Sequence, residues 1–423
     1  MKLLTYYKIM VYIILNKEDN MLYKPFLDKN LSILGMGNMR LPIINGQYDK
    51  IDEIKALEII ISAFEQGINY FDTAYRYHGG ASEKFIGKNL NRFNRKDIYI
   101  ATKMPGHMMD YKDGKLLFQG YMSDAKIDSI SQIFEEQLEN CQTNYFDFYL
   151  LHNLCETSFD FYTNEKLGLV NYLIEQKNKG RIHHLGFSSH GCVDTINKFI
   201  SWSKTHIADT CFEFVQIQLN YLDWIIQDAK SKYDLLKSHN LPVFVMGPCR
   251  GGMLSNFDEK TNIILKEKRP KDSISSWAFR FVKSLSNVQV TLSGMSTIEQ
   301  LDDNIKIFSE PLSMTLEEND ILKQIIEMMK NIVPCTNCRY CCEGCPKELN
   351  IPQLITFYNE MLFGKASLFL TFTLPAMKPA ELPSACIGCN ICKQTCPQNI
   401  DIPEIMKKLP NVIKEQIELP DAW

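Results

Sequence analysis

The sequence predicts a closed (β/α)8 barrel followed by a small, mainly helical domain that is rich in cysteine. Three observations support this prediction. Eight short apolar segments alternate with longer amphipathic segments between residues 31 and 308. No GxGxxG motif follows the first apolar segment, although the nucleotide-binding domain of an open doubly wound sheet is expected to carry one. Nine of the fourteen cysteines lie beyond residue 334.

The apolar segments have the composition of strands that are buried on both faces. In chain order they are LSILGMG, INYFDTA, DIYIATK, FDFYLLH, IHHLGFS, FEFVQIQLNY, LPVFVMGP and VQVTLSG. Such strands, when they alternate with amphipathic helices, are typical of a parallel sheet. Eight units match the usual size of a closed barrel, and an open doubly wound sheet is the alternative.

The segments between the strands have the apolar spacing of helices. IDEIKALEIIISAFEQG, which ends at Gly67, and IDSISQIFEEQLENC carry apolar residues three and four positions apart. SEPLSMTLEENDILKQIIEMMKNIVP indicates a helix that connects two domains. We therefore expect an N-terminal extension at 1–21, the barrel at 22–310, a connecting helix at 311–334 and the cysteine-rich domain at 335–423.

Composition and charge favour a protein that acts on small molecules. The net charge of -4 comes without a basic stripe, so nothing indicates nucleic-acid binding. The apolar run Ile9–Leu15 is short and lacks a small-residue cleavage site, which favours an extension over an export signal. The run MLFGKASLFLTFTLP contains Lys365 and is too short to cross a bilayer as a helix. No membrane-spanning segment is predicted.

The cysteines of the last domain repeat the pattern CxxCxxCxxxCP, as CTNCRYCCEGCP and again as CIGCNICKQTCP. In two-cluster proteins, three closely spaced thiolates bind one cubane cluster and the fourth reaches the other cluster. The pattern therefore predicts two [4Fe-4S] clusters. The expected ligands are Cys335, Cys338, Cys341 and Cys396 for one cluster, and Cys345, Cys386, Cys389 and Cys392 for the other. Structural zinc and free thiols are the less favoured alternatives, and Cys342 is extra to the pattern.

This domain resembles the bacterial-type two-cluster ferredoxins over residues 335 to about 405. Forty residues separate Cys345 from Cys386, and they include the helical pattern IPQLITFYNEMLF. An all-helical domain is therefore favoured over the compact β form. Thiolate ligands must stay reduced until iron and sulfide are bound, so we expect the protein in the cytoplasm.

Polar residues follow three consecutive strands of the barrel, at the end where (β/α)8 barrels carry their reacting groups. Asp72 and Tyr77 lie in FDTAYRYHGGASE, Lys103 in IATKMP and His152 in YLLHN. A nearby ammonium favours the phenolate and lets a phenol protonate a carbonyl oxygen as hydride arrives. We expect Tyr77 to donate the proton, Asp72 to hold Lys103, and His152 to help bind the substrate oxygen.

Taken together, these fragments resemble the aldo-keto reductase family. The resemblance covers about residues 22–308 and rests on NYFDTAYRYHGGASEKFIGKNL, IATKM, FDFYLLH, GFSSHG, VQIQLNY and LSGMSTIEQLDDN. It implies the same four catalytic residues and a nicotinamide cofactor, NADPH or NADH, across the barrel mouth. The cofactor contacts that it implies are Ser188, Ser189 and Gln216 at the carboxamide, and Gly294, Gln300 and Asn304 near the adenosine phosphate.

Three positions depart from the family pattern. Met246 stands where many members have a stacking tyrosine, and Ser189 replaces the more usual asparagine. Gln300 stands where NADPH-preferring members commonly have arginine. Glutamine forms no ion pair with a 2′-phosphate, so the preference between NADH and NADPH is left open.

Four further polar residues near strand ends are more ambiguous. The adjacent His183 and His184 point to opposite sides of a strand, which favours surface or core positions over metal binding. His190 follows a strand end, where lining the pocket and a structural role are equally favoured. Arg250 in GPCRGG is either a loop cation or a contact to the cofactor or a cluster.

Along nearly its whole length the chain resembles proteins that join an aldo-keto reductase barrel to a ferredoxin-like tail. The first hypothesis is an NAD(P)H-linked oxidoreductase that reduces a small carbonyl compound while its clusters exchange electrons with a ferredoxin or flavoprotein. The alternative is an electron-transfer protein whose barrel is a docking platform for nicotinamide or flavin. In a third hypothesis the clusters are structural. A flavin would link hydride transfer to single electrons, although no flavin motif is recognised.

Overall fold

The computed structural model describes residues 21–118, 127–207, 212–310, 314–329, 332–362 and 377–414. Residues 1–20 of the expected extension, and most of the apolar run at 361–375, lie outside the described residues.

Eight parallel strands form a closed barrel in which each strand pairs with the next in the chain and the last pairs with the first. We number them β1 Leu34–Gly37, β2 Tyr70–Asp72, β3 Tyr99–Met104, β4 Phe146–Leu154, β5 Ile182–Ser189, β6 Phe212–Gln218, β7 Val243–Met246 and β8 Val288–Ser293. The closing pair sets Thr291 opposite Leu34. All eight predicted strands are confirmed, and closure leaves no unpaired sheet edge.

Helices follow the strands and bury their apolar faces against the barrel. They span Glu53–Glu65, Ala81–Leu90, Ile130–Asn140, Phe159–Tyr162, Leu169–Asn178, Val193–His206, Asp223–Ile226, Ala229–Ser238, Glu259–Lys268, Ser275–Lys283 and Ile298–Ser309. The first begins after Asp52, whose carboxylate accepts from the Lys55 N–H. Just beyond its end, Gly67 has a φ of +96°, a conformation that glycine adopts without strain.

A β-hairpin that was not predicted closes the N-terminal end of the barrel. Its antiparallel strands are Tyr23–Phe26 and Lys29–Ser32. The Phe26 ring lies 5.5, 6.0 and 5.6 Å from the rings of Phe148, Phe214 and Phe244. A second hairpin, Met109–Lys112 with Lys115–Phe118, follows β3. Because aromatic side chains fill the N-terminal end, the polar strand ends face the opposite, open end of the barrel.

The cysteine-rich part of the chain is helical in its described residues, as predicted. Helix Leu316–Met328 precedes it and begins at Thr315, which forms a reciprocal capping box with Glu318. The later helices are Tyr340–Glu343, Ile351–Leu362, Ile391–Thr395 and Ile402–Lys414. Two of them, Ile351–Leu362 and Ile402–Lys414, pack through a separate hydrophobic core that includes Leu354 and Leu409. None of the described helices combines the length and apolar character needed to cross a membrane.

Candidate active site

Four polar side chains converge at the open end of the barrel, as the sequence predicts. Asp72 ends β2, Tyr77 begins the turn that follows, Lys103 lies in β3 and His152 lies in β4. The Lys103 Nζ donates to Asp72 Oδ1 at 2.7 Å and to the carbonyl oxygen of Thr73 at 2.7 Å. The ammonium is thereby fixed beneath the turn that carries Tyr77.

Tyr77 lies between this ion pair and a histidine. The Lys103 Nζ is 5.0 Å from the centroid of the Tyr77 ring, and the rings of Tyr77 and His152 meet edge to face at 5.9 Å. Lys103 is completely buried, whereas Tyr77 keeps 9% of its surface exposed. A positive charge beside a phenol favours the phenolate that remains after proton donation.

Burial acts on both members of the ion pair. It lowers the pKa of Lys103, an effect that the Asp72 carboxylate opposes. It likewise raises the pKa of Asp72, against the influence of Lys103. Because each charge is satisfied by the other across a 2.7 Å hydrogen bond, the two groups are stable together as an ion pair.

A buried carboxyl group that the sequence analysis did not single out supports β3 next to this pair. Glu83 Oε1 accepts hydrogen bonds from Thr102 Oγ1 at 2.6 Å and from Gln137 Nε2 at 2.8 Å. Gln137 Nε2 also lies 3.0 Å from the Lys103 carbonyl oxygen. Burial raises the pKa of Glu83 to about 7. In the sequence Glu83 looks like an ordinary first-turn helix residue, so nothing local marks it.

Three histidines at the barrel mouth are held in the neutral form. Burial lowers the pKa of His107 to about 3 and that of His190 to about 4. It lowers the pKa of His152 well below its usual value. The rings of His107 and His152 are 4.5 Å apart. Neutral imidazoles can hydrogen-bond a substrate oxygen without adding charge.

A groove of about 380 Å³ runs from Tyr77 across the barrel mouth. Its walls include five of the six residues that the family resemblance assigns to cofactor binding, namely Ser188, Gln216, Gly294, Gln300 and Asn304. Within the described part of the chain, Gln216 Oε1 is buried without a hydrogen-bond partner. Ser189 does not line the groove, because its hydroxyl donates to the Leu154 carbonyl oxygen at 2.7 Å. His190, whose position was ambiguous, lies in the groove wall.

The structure also shows the surroundings of Met246 and Gly294, two residues of the groove wall. Met246, at the position where a stacking tyrosine is common, lines the groove, and its sulfur lies 3.7 Å from Gln216 Nε2. Gly294 permits the close approach of Arg40, because a Cβ on this glycine would lie 2.9 Å from the Arg40 Cβ.

The histidines of β5 are structural, as favoured from the sequence. His184 is buried and its Nδ1 lies 3.2 Å from Glu213 Oε2, whereas the side chain of His183 is 33% exposed beside Asp147. Neither belongs to the groove.

The cysteines of the two repeated motifs line two small cavities. Cavity I is bordered by Cys335, Cys338, Cys341 and Cys396, and cavity II by Cys345, Cys386, Cys389 and Cys392. These are the two crossed sets that the spacing predicts. Among the described residues, no three His, Cys, Asp or Glu side chains converge closely enough to hold a single metal ion. Thiols spread around a cavity suit a four-iron cluster, in which each iron takes one thiolate, better than one zinc ion.

Comparison with known protein families agrees with this organisation. Residues 33–327 match the model of the aldo/keto reductase family, which is more than half of the chain. The chain belongs to the aldo/keto reductase family. In this aldo/keto reductase, residues 334–400 also match the model of a 4Fe-4S dicluster domain. The first match includes the helix that precedes the cysteine-rich domain.

Several curated proteins are similar to the barrel part of this aldo/keto reductase. The uncharacterized oxidoreductase YqkF of Bacillus subtilis is 27% identical over 301 residues, which cover 66% of this chain and 88% of that protein. L-galactose dehydrogenase of Arabidopsis thaliana is 24% identical, with 71% and 92% covered. The NADH-specific methylglyoxal reductase of Escherichia coli is 24% identical, with 54% and 67% covered.

Solved structures show the same barrel. The aldo-keto reductase AKR11C1 from Bacillus halodurans, in its holo form, aligns with a TM-score of 0.55 and 26% identity over 72% of this chain and 96% of that chain. An aldo/keto reductase from Klebsiella pneumoniae in complex with NADP and acetate has a TM-score of 0.55 at 17% identity, with 73% and 95% covered. The second similarity shows the fold alone. The flavin considered above gains no support from these matches.

In this aldo/keto reductase the groove and cavity I share a wall. Thr336 and Cys338 line both spaces. Tyr340 also lines the groove, and its ring lies 6.0 Å from that of His107. The cysteine-rich domain thus covers the barrel mouth and places one predicted cluster ligand at the edge of the candidate active site.

Side chains at or just beyond the C-terminal ends of β1, β6 and β7 hold the two domains together. Arg40 Nη2 donates to the Thr336 carbonyl oxygen at 2.8 Å. Gln218 and Gln398 exchange two amide hydrogen bonds, at 3.2 and 3.1 Å. Arg250 Nη2 donates to Gln398 Oε1 at 3.3 Å. No sequence pattern indicates Arg40 or Tyr340, because their positions depend on which face of the second domain meets the barrel.

Proposed function

We propose that this protein reduces a small carbonyl compound at the barrel mouth with NADH or NADPH, and that two [4Fe-4S] clusters exchange single electrons with a redox partner protein. The observation that carries this proposal is the buried Lys103–Asp72 ion pair beside Tyr77, at the end of a groove bordered by Cys338. When bound, the nicotinamide supplies hydride, and the clusters give or accept one electron at a time.

Each of the four polar residues at the barrel mouth (the tetrad: Asp72, Tyr77, Lys103 and His152) has a distinct task. Tyr77 gives its phenolic proton to the carbonyl oxygen and regains one from solvent. Lys103 stabilises the phenolate that remains, and Asp72 keeps the ammonium in place. The neutral His152 orients the carbonyl oxygen toward the Tyr77 hydroxyl. Together these groups protonate the oxygen while the carbonyl carbon takes the hydride, which yields an alcohol.

The groove residues position the cofactor. Ser188 and Gln216, whose Oε1 has no hydrogen-bond partner among the described residues, are suited to hold the nicotinamide carboxamide, with Ser189 behind them. We assign the adenosine end to Gly294, Gln300 and Asn304. Because Gln300 is neutral, we propose that NADH is accepted as readily as NADPH, and the similar Escherichia coli enzyme is named as NADH-specific.

The clusters complete the proposal. Their ligands are the four cysteines of cavity I and the four of cavity II, in the crossed sets given above. Because thiolates must be loaded with iron and sulfide under reducing conditions, we place the protein in the cytoplasm with a one-electron partner protein. The alternative, a docking platform for electron transfer, uses the same groove without needing Tyr77.

Tyr77→Phe tests the proposal. Loss of the proton donor should lower the rate of aldehyde-dependent NADH or NADPH oxidation by roughly 100- to 10,000-fold. Reduction of the clusters by NADH, followed anaerobically as bleaching of their visible absorbance, should persist. Tyr75→Phe is the matched control, because Tyr75 hydrogen-bonds Glu136 at 2.5 Å and does not line the groove.

The outcomes separate the hypotheses. Full carbonyl reduction by Tyr77→Phe would contradict the proposal. If the wild-type protein bleaches with NADH but reduces no carbonyl, the docking platform is the better description. If it reduces carbonyls without bleaching, its clusters are structural or depend on another donor.

A further inference from the structure

We propose that two arginines of the barrel, Arg40 and Arg250, provide positive charge for the cluster in cavity I and raise its reduction potential above that of the cluster in cavity II. This inference rests on the clusters proposed above. It concerns where a single electron resides, which the proposed carbonyl reduction does not specify.

Arg250 is enclosed between the two domains. Its side chain is 0% exposed, and its Nη2 and Nε lie 2.8 and 2.9 Å from Asp223 Oδ1. Its Nη1 is buried and has no hydrogen-bond partner among the described residues. Asp223 in turn accepts from Gln218 and Asn220. A buried N–H donor that lacks an acceptor is costly, so Nη1 requires a further polar or negatively charged group beside it.

Cavity I is the place for such a group. Gln398, which accepts a hydrogen bond from Arg250, lines this cavity. Cys335 and Cys396 line cavity I as well. These two cysteines come from different motifs and meet only at cavity I. Arg250 therefore lies directly behind the wall of cavity I, next to Gln398, with Asp223 bound to its guanidinium.

A second arginine approaches the same cavity from the end of β1. Arg40 Nη2 donates to the carbonyl oxygens of Thr336 and Asn337, at 2.8 and 3.0 Å, in the loop between Cys335 and Cys338. The barrel therefore presents two cations to one side of cavity I.

Cavity II differs in charge and in exposure. Lys347, the cation that lines it, is exposed to solvent, where its field is screened. Cys389 is exposed as well, and Ile387 is 60% exposed. Within the described ranges, no buried arginine or lysine lines cavity II.

The asymmetry has a consequence for electron transfer. A cluster gains one negative charge on reduction, so neighbouring buried cations stabilise its reduced form. A single electron on this domain should then reside on the cluster in cavity I, whose predicted ligand Cys338 borders the groove. The solvent-facing cluster in cavity II would receive electrons from a partner.

A redox titration of the full-length protein with both clusters loaded, followed by electron paramagnetic resonance, tests the inference. Arg250→Gln combined with Asp223→Asn removes the buried ion pair without leaving an unpaired carboxylate. Arg40→Gln is the second variant. Each should lower the equilibrium constant for reducing cluster I relative to cluster II by roughly tenfold to a hundredfold. Cys389→Ser, which alters a ligand of cluster II, assigns the two signals.

The same redox titration is applied to two control variants. Lys347→Gln should leave the difference between the clusters nearly unchanged, because this lysine is exposed. Arg250→Lys, which retains the charge, should keep the wild-type order of potentials, and Arg40→Gln decides the test if the double variant loads fewer than two clusters. The inference is wrong if the cluster containing Cys389 has the higher potential, or if no arginine variant shifts cluster I. Normal potentials with no carbonyl reduction would contradict only the function proposed above.

Discussion

Two buried cations near the barrel mouth are each paired with a carboxylate. One buried carboxyl group there accepts hydrogen bonds from uncharged donors instead. Lys103 is paired with Asp72, and Arg250 with Asp223. Glu83 instead accepts hydrogen bonds from uncharged donors and is completely buried. Burial raises its pKa to about 7, a shift that these donors and the charge of Lys103 oppose only in part.

This shift predicts a pH-dependent stability. Glu83 has a pKa of 4.5 when unperturbed and about 7 in the folded protein, so the folded state binds the proton more tightly. The contribution of Glu83 to stability is therefore largest below pH 4.5 and is lost as the pH rises through about 7. Glu83→Gln should remove this loss, which approaches about 3 kcal/mol above that range.

Thermal unfolding of the full-length protein, followed by circular dichroism at about pH 5 and about pH 8, measures the effect. The variant should gain in Tm relative to wild type as the pH rises. Glu53→Gln, at an exposed helix position, is the control. Equal pH dependence of wild type and Glu83→Gln would show that the Glu83 carboxyl does not titrate in this range.

At the scale of elements, the helices Ala81–Leu90 and Ile130–Asn140 depend on one glycine for their close packing. A Cβ on Gly87 would lie 2.2 Å from the Asn140 carbonyl oxygen and 2.6 Å from the Cys141 carbonyl carbon. Both are backbone atoms and move only with their helix. The first of these helices carries Glu83, so this contact also supports the strand that holds Lys103.

Gly87→Ala should destabilise the protein even though alanine is the better helix former. Alanine favours a helix by about 1 kcal/mol, but forcing two backbones apart in a packed core typically costs about 1–3 kcal/mol. Urea unfolding at constant pH measures the net change. Lys84→Ala, at an exposed position of the same helix, should be nearly neutral. A stability gain in Gly87→Ala would show that the helices can separate without cost.

At the scale of the whole molecule, the cysteine-rich domain covers the mouth of the barrel, and the backbones of the two domains approach each other closely at Gly251. Gly251 has a φ of +70°, and a Cβ there would lie 2.1 Å from the Thr336 carbonyl oxygen. The same loop carries Arg250, and residue 336 precedes Cys338 in the shared wall. The position of cavity I relative to the groove therefore depends on this approach.

Gly251→Ala should open the interface while leaving the barrel folded. Hydrogen exchange of the amides at 336–340 should accelerate roughly tenfold or more, since overpacking typically costs about 1–3 kcal/mol. Exchange in β2–β4 should stay unchanged. Gly114→Ala is the control, because Gly114 has a φ of +77° but nothing within 4 Å of its Cβ position. Faster exchange in both variants alike would assign the effect to backbone strain instead of the domain contact.

The repeating parts of the fold were predictable from the sequence, whereas the N-terminal hairpin was not. The eight strands carry apolar runs, and their alternation with helices repeats along the chain. The hairpin strands Tyr23–Phe26 and Lys29–Ser32 are short, and the first contains Pro25 and exposed side chains. They are stabilised by the packing of Phe26 under the barrel, which has no local periodic signal.

By itself, the sequence determined the barrel, and it predicted both the four polar residues at the barrel mouth and the two crossed sets of cysteines. Consecutive parallel strands bring their C-terminal ends together, and the spacing of CxxCxxCxxxCP limits which thiols can share a cluster. The tertiary structure decided that cavity I adjoins the groove, that Arg40 and Arg250 bind residues of its wall, and that cavity II faces solvent. These relations join loops that are hundreds of residues apart. They arise from the packing of one domain on the other, and no pattern along the chain encodes them.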